Sequence, residues 1–152
     1  MYIAKKSWEL LIPAPIEEVW DFFSKPSNLK KMTPPAAGFR MLSPCDGETL
    51  YPGMLIDHVV SPIPGIPLYW VTEIVQVDPL KSFTDRQLRG PFDIWQHRHE
   101  FHLSGQGTLI RDILHYRVGW GVLGTMANTF FVEKQIEGIF SFREEAAKRL
   151  FG

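Results

Sequence analysis

The chain has 152 residues, 45% of them hydrophobic and 22% charged, with a formal net charge of -1. That length supports one domain with a real core, 1–152, and near-neutrality leaves no basic excess for nucleic acid and no charge block for a polyanion or membrane surface. The single cysteine, Cys45, excludes an internal disulfide and a Cys-rich metal site, so a reduced, cytoplasmic setting is expected.

No apolar run approaches the ~20 residues of a membrane helix. The start, MYIAKKSWELLIPAP, carries a basic pair, but its apolar stretch is short and Glu9 interrupts it. It therefore reads as a strand over residues 2–12 and not as a signal peptide. Pro13 and Pro15 end that strand. Ile16 to Phe23 reads as a short helix, with Pro15 at its start and Glu17 and Glu18 suited to the positive end of the dipole. Val19, Trp20 and Phe23 face the core. Ser27 is placed to cap a second short helix, Asn28 to Met32, which Thr33-Pro34-Pro35 stops.

Residues 37–43 and 54–60 read as strands separated by a Pro44–Gly47 turn. The SPIPGIP segment, Ser61 to Pro67, reads as a rigid connection, since proline donates no ladder bond. Leu68 to Val77 and Lys81 to Leu88 read as an antiparallel pair around Asp78-Pro79, which sets Glu73 near Arg86. The opposite face then carries Trp70, Thr72 and Ile74 against Phe83, Asp85 and Gln87.

Gly90 to Val118 holds the clearest pattern. Two alternating runs flank Ser104-Gly105-Gln106-Gly107, a β-hairpin signal. Alternation puts Trp95, His97, His99, Phe101 and Leu103 on one face. A tight Gly105-Gln106 turn sets His99 opposite Asp112, His97 opposite Leu114 and Trp95 opposite Tyr116. Opposed side chains lie about 5 Å apart at Cβ, within hydrogen-bonding reach. A one-residue slip would bury Arg111 and Arg117 instead, at a high cost.

Gly119, Gly121 and Gly124 follow as a bend, with Trp120, Val122 and Leu123 as a candidate apolar lip; SPIPGIP is another. Thr125 to Leu150 reads as one amphipathic helix with Val132, Ile136, Ile139, Phe140, Ala146, Ala147 and Leu150 on its stripe. It would extend about 39 Å at ~1.5 Å per residue, enough to cross a sheet. Arg143 is the odd member of that stripe, expected to snorkel or to pair with a pocket acid. The order is β, two short α, about six β, one long α. This is α+β, and a bent sheet round one long helix leaves a cavity between them.

The amino-terminal strand with PAPIEEVWDFFSKPSNLKKMTP, the VDPLKSFTDRQ and GPFDIWQHRHEF blocks, Gly107-Thr108 and YRVGWGVLG together resemble the START-like superfamily. This is the SRPBCC, Bet v 1-like and polyketide cyclase-related group with the helix-grip fold. The GPF-x-x-W-x-H-x-H-x-F block is similar to its ligand-binding SRPBCC or cell-division-inhibitor-like subgroup. The resemblance implies about seven curved antiparallel strands wrapped round the long C-terminal helix, and an apolar pocket for a small hydrophobic molecule. It does not imply a reaction.

The residues themselves leave three uses for the inner polar cluster. One is a satisfied network that fixes register. The second is recognition of a polar ligand head by His97, His99, Asp112, Gln87 and Asp85, with Trp70, Trp95, Phe101 and Tyr116 as walls. Met126, Phe130 and Phe140 would close the pocket from the helix. The third is acid–base chemistry by a His99–Asp112 pair, with His97 as a further catalytic candidate, as in cyclisation or dehydration. No metal or cofactor is expected, because His58, His102 and His115 cannot be joined to the pair as a third histidine. The favoured expectation is a non-catalytic protein binding a small hydrophobic or amphipathic molecule, without nucleic acid or an integral membrane segment. The alternatives are a cyclase- or dehydratase-like enzyme and an interaction module with a filled interior.

Overall fold

The computed structural model describes residues 3–63, 65–119 and 126–152, with side chains in the last segment from Phe130 onward. Seven antiparallel strands form one sheet: β1 (Ala4–Ile12), β2 (Arg40–Met41), β3 (Leu55–Ile63), β4 (Ile66–Asp78), β5 (Ser82–Arg89), β6 (Phe92–Ser104) and β7 (Gly107–Val118). Their order is β1-β7-β6-β5-β4-β3-β2. The helix α1 (Ile16–Phe23) and two 3-10 turns, Pro26–Met32 and Pro35–Ala37, follow β1. The long helix α2 (Met126–Phe151) lies against the sheet, which is the helix-grip architecture. No described helix is long and apolar enough to cross a membrane.

The hairpin register is the expected one: His99 pairs with Asp112, His97 with Leu114 and Trp95 with Tyr116 across a two-residue Gly105-Gln106 turn. Strict alternation along β7 buries Ile110, Asp112, Leu114, Tyr116 and Val118 on the inner side. Glu73 and Arg86 are cross-strand partners and form an ion pair at 2.6 Å. Gly107 closes the hairpin against the end of β1. A Cβ there would collide with the Ile12 carbonyl oxygen and lie 2.9 Å from Pro13 Cα, while the neighbouring Thr108 hydroxyl donates to the Ala14 carbonyl at 2.8 Å. Replacing Gly107 with alanine is expected to cost about 3 kcal/mol, read as a lower denaturation midpoint in urea.

Four expectations change. The second helix is a 3-10 segment that begins at Pro26, and Ser27 does not cap it; its N-cap position is Lys25. Only Arg40–Met41 of residues 37–43 is strand, because Pro35–Ala37 turns and Gly38 takes a left-handed φ of 59°. SPIPGIP, expected as a rigid connection, is largely strand: β3 runs on to Ile63 and β4 starts at Ile66. This is tolerated because β2 pairs only with Val59 and His58, so the end of β3 is an open edge with a register shift after Val60. Leu150 is exposed, and Phe151 packs instead on Phe22 and Phe23, with ring centroids 5.3 and 6.4 Å away.

Two buried clusters hold the helix to the sheet. One gathers Ile12, Val19, Trp20, Phe83, Phe101 and Ile110 with Ala146 and Ala147. The two alanines have no bulk beyond Cβ and are 1% exposed, so the C-terminal half of α2 sits close to this cluster. The other gathers Leu114, Tyr116, Val118, Val132, Ile136 and Phe140. At the sheet edge Phe140 stacks on Trp8 at 3.7 Å between centroids, and Lys6 reaches Glu133 and Glu137 at 2.8 Å.

Candidate functional site

Between these clusters lies a cavity of about 470 Å³. Its walls come from the sheet (Ile56, Trp70, Ile74, Phe83, Phe92, Trp95), from the Pro26–Met32 turn, and from Phe131, Val132, Ile136 and Ile139 of α2. The volume falls in the range of small-molecule sites, roughly 300–1,000 Å³. The interior is therefore not filled, which removes the observation that the interaction-module alternative needed.

One end of the cavity is polar. His97 Nε2 and Asp112 Oδ1 are 2.9 Å apart. His99 Nδ1 lies 2.9 Å from the same oxygen, and His99 Nε2 lies 2.9 Å from Asp85 Oδ2. Arg143 approaches from α2, with Nη1 3.7 Å from Asp112 Oδ1 and its guanidinium 5.1 Å from the Phe140 ring centroid. The chain of contacts therefore runs Asp85–His99–Asp112–His97, with Arg143 beside it. All these side chains are buried or nearly so.

Burial alone would raise the Asp112 carboxyl, yet hydrogen bonds from His97 and His99 hold it well below the usual carboxylate range. Asp85 is lowered in the same way, against its burial, by His99. Burial works against a charged His99, but Asp112 and Asp85 outweigh it and raise its pKa. Burial and then the adjacent His99 charge lower His97, despite Asp112. Two carboxylates thus face the His99 imidazolium and the Arg143 guanidinium, and the cluster balances with His97 neutral. Neutral His97 donates from Nε2–H to Asp112 Oδ1, which makes Nδ1 the lone-pair nitrogen. No described residue bonds that Nδ1, and it is not sealed from the cavity that the ring lines.

This geometry rearranges the expected site. Trp70, Asp85, Trp95, His97 and His99 line the cavity. Asp112 lies behind the two histidines and contacts both. His99 is not an available base, because carboxylates occupy both of its nitrogens; His97 has the open one. Gln87 is not in the polar cluster: its amide donates to the Phe92 carbonyl at 2.6 Å and accepts from the Phe92 N–H at 3.0 Å. Gly90 has no Cβ, and that space is where the Gln87 amide sits.

Phe101 belongs to the core beside Trp20, at 5.1 Å between centroids, and Tyr116 is buried next to Phe92 and Trp95; neither is a cavity wall. Phe140 is taken by Trp8. Phe130 points to solvent at 69% exposure, and the next residue, Phe131, lines the cavity. The Met126 side chain and the candidate lip at Trp120, Gly121, Val122 and Leu123 lie outside the described residues. Asp85, His97 and His99 offer three donor atoms within 4.8 Å of one another, a spacing that could hold a cation, but a cation there would have to displace the His99–Asp85 contact. His58, which the sequence pattern does not join to the inner histidine pair, is buried and lines the cavity beside Phe39 and Trp70.

Residues 12–138 match the family model described as polyketide cyclase / dehydrase and lipid transport. No curated protein matches the sequence. Among solved structures, the Zhui aromatase/cyclase from Streptomyces sp. R1128 is similar at a TM-score of 0.75 and 14% identity, over 96% of this chain and 92% of that one. A START superfamily protein from Mycobacterium smegmatis gives a TM-score of 0.67 and 18% identity over 99% of both chains. Ara h 8.0201 gives 0.63 and 13%, over 97% of this chain and 99% of that one. At these identities the likeness is one of fold.

Proposed function

The chain belongs to the polyketide cyclase / dehydrase and lipid transport family, within the START-like superfamily, and from that premise we propose that it binds a small hydrophobic or amphipathic molecule in the cavity under α2. The observation that carries this reading is the cavity itself, about 470 Å³ with apolar and aromatic walls and one polar end. Apolar burial supplies the affinity, at about 25 cal/mol per Å² removed from water. The polar end orients the ligand. His97 accepts a hydroxyl or enol proton at Nδ1, and Arg143 favours electron-rich oxygen nearby.

Native mass spectrometry of freshly purified protein tests this, together with quenching of tryptophan emission by naphthalene and 2-naphthol, since Trp70 and Trp95 line the cavity. A one-to-one complex is expected. Replacing Ile139 with tryptophan, which fills the cavity from α2, is expected to abolish quenching while the melting temperature holds. A bare mass with no saturable quenching would contradict the reading.

A second reading has one observation in its favour. His97 is neutral, oriented by Asp112 and open at Nδ1, which is the arrangement of a general base. On this reading the family's cyclase and dehydratase chemistry would use His97 and not His99. Deuterium exchange at the α-carbon of bound 2-tetralone, lost in His97→Gln, would support it; an unchanged exchange rate in that variant would exclude it.

A further inference from the structure

His58 is a histidine that the polar end does not use. It sits on β3, on the same inner face as Ile56, and its ring lies between Phe39 and Trp70 at 5.2 and 5.8 Å between centroids. The side chain is 7% exposed. Its Nδ1 is sealed from solvent and has no hydrogen-bond partner, which leaves Nε2 as the nitrogen on the cavity side. No carboxylate bonds the ring, and burial, working against the more distant Asp85 and Asp57, lowers its pKa to about 4. It is therefore neutral at pH 7 and has one N–H to place.

An orphaned buried N–H is rarer than an orphaned acceptor, because a donor without a partner forfeits its full hydration. The proton accordingly belongs on Nε2, where something entering the cavity can accept it. His97 has the opposite polarity, with its N–H spent on Asp112 and a lone pair toward the cavity. The two histidines thus present one donor and one acceptor to a single apolar space.

We propose that His58 is a ligand-recognition residue that donates from Nε2–H to an acceptor oxygen, a ketone, quinone or ester carbonyl, on the bound molecule. This deepens the reading of the cavity as a ligand site and rests on it. The ligand class that fits is a compact apolar molecule with a carbonyl facing β3 and a hydroxyl facing His97. A hydrocarbon would leave the His58 donor without a partner, and net discrimination of about 1 kcal/mol is expected for one neutral hydrogen bond.

The test uses tetralin and 1-tetralone, which share a ring system and differ by one carbonyl oxygen, with affinities read by tryptophan quenching. In the wild-type protein 1-tetralone is expected to bind roughly fivefold more tightly than tetralin. In His58→Phe the ratio of the two affinities is expected to fall to about one. In His58→Gln, which retains an N–H at a similar reach, the advantage is expected to return in part. The His58→Phe protein should melt no lower than wild type, because the change removes a sealed, unpartnered nitrogen. A carbonyl advantage that survives in His58→Phe, or is absent from the wild type while tetralin binds, would overturn this role. If tetralin does not bind at all, the cavity reading falls, and this inference falls with it.

Discussion

Replacing Asp112 with alanine is expected to destabilise the protein by about 4 kcal/mol, the cost of leaving buried charge uncompensated. For a domain of this size that corresponds to a melting temperature lower by roughly 10 °C. The reason is that a single oxygen, Oδ1, faces His97 Nε2, His99 Nδ1 and Arg143 Nη1 at 2.9, 2.9 and 3.7 Å. Without it, the His99 imidazolium keeps only Asp85, and Arg143 loses its ion-pair partner. Asn at the same position should cost less, since its amide oxygen still accepts one of the histidine protons. Calorimetry of both variants at pH 7 checks this. An Asp112→Ala protein as stable as wild type would mean that the carboxylate does not organise the cluster.

The second large effect is acid sensitivity, and its sign follows from which histidines are neutral. His58 and His97 have folded pKa values below their unfolded value of about 6.5. As pH falls below 6.5 the unfolded chain takes up these protons first, so stability falls with pH. For His58 the window runs from 6.5 to about 4, and the loss over it approaches roughly 3 kcal/mol at ~1.4 kcal/mol per pH unit.

His99 has the opposite sign. Its raised pKa gives a contribution that is full below 6.5 and lost as pH rises through the folded value. The lowered carboxyls of Asp85 and Asp112 contribute above their ordinary value of 3.8 and lose that contribution as pH falls through their folded values. Between 6.5 and about 5 the slope among these groups therefore belongs to His58 and His97. Urea denaturation across this window should show His58→Phe with a shallower slope than wild type. An unchanged slope would mean that His58 is not held neutral.

The parts of this site that were legible in the sequence are those fixed by local rules. A two-residue turn and a strict alternation of inner and outer side chains determine a hairpin register, so the pairing of His99 with Asp112 could be read directly. The helical stripe likewise identified Val132, Ile136 and Phe140 as buried. Phe130 contradicts that same stripe, since two residues before Val132 is nearly the opposite side of a helix. Phe131, next to Val132, had the better phase.

Other differences depend on contacts that no local pattern encodes. Gln87 has the right parity for the inner face, but the free N–H and C=O of Phe92 claim its amide. Phe140 has the right face of α2, but β1 brings Trp8 beneath it. His99 looked like the base because it faces Asp112; Asp85 on the neighbouring strand takes its other nitrogen and leaves His97 as the open one. For His58 a signal existed: Ile56 and His58 alternate with exposed Leu55 and outward Asp57. It carried no weight without the β3–β4 register, which sets His58 against Trp70 beyond the proline-rich turn.

The proposed binding mode sets the polar head of a small amphipathic molecule on the open nitrogen of His97, under α2. Imidazole 15N NMR of the free and 2-naphthol-bound protein at pH 7 reads that nitrogen. In the free protein His99 should show two protonated nitrogens, and His97 one protonated nitrogen and one lone-pair nitrogen. On titration the lone-pair resonance of His97 should shift as Nδ1 accepts the naphthol proton, in step with the quenching of tryptophan emission. Saturable quenching with an unmoved His97 spectrum, or a free protein in which His97 is the charged histidine, would contradict that binding mode.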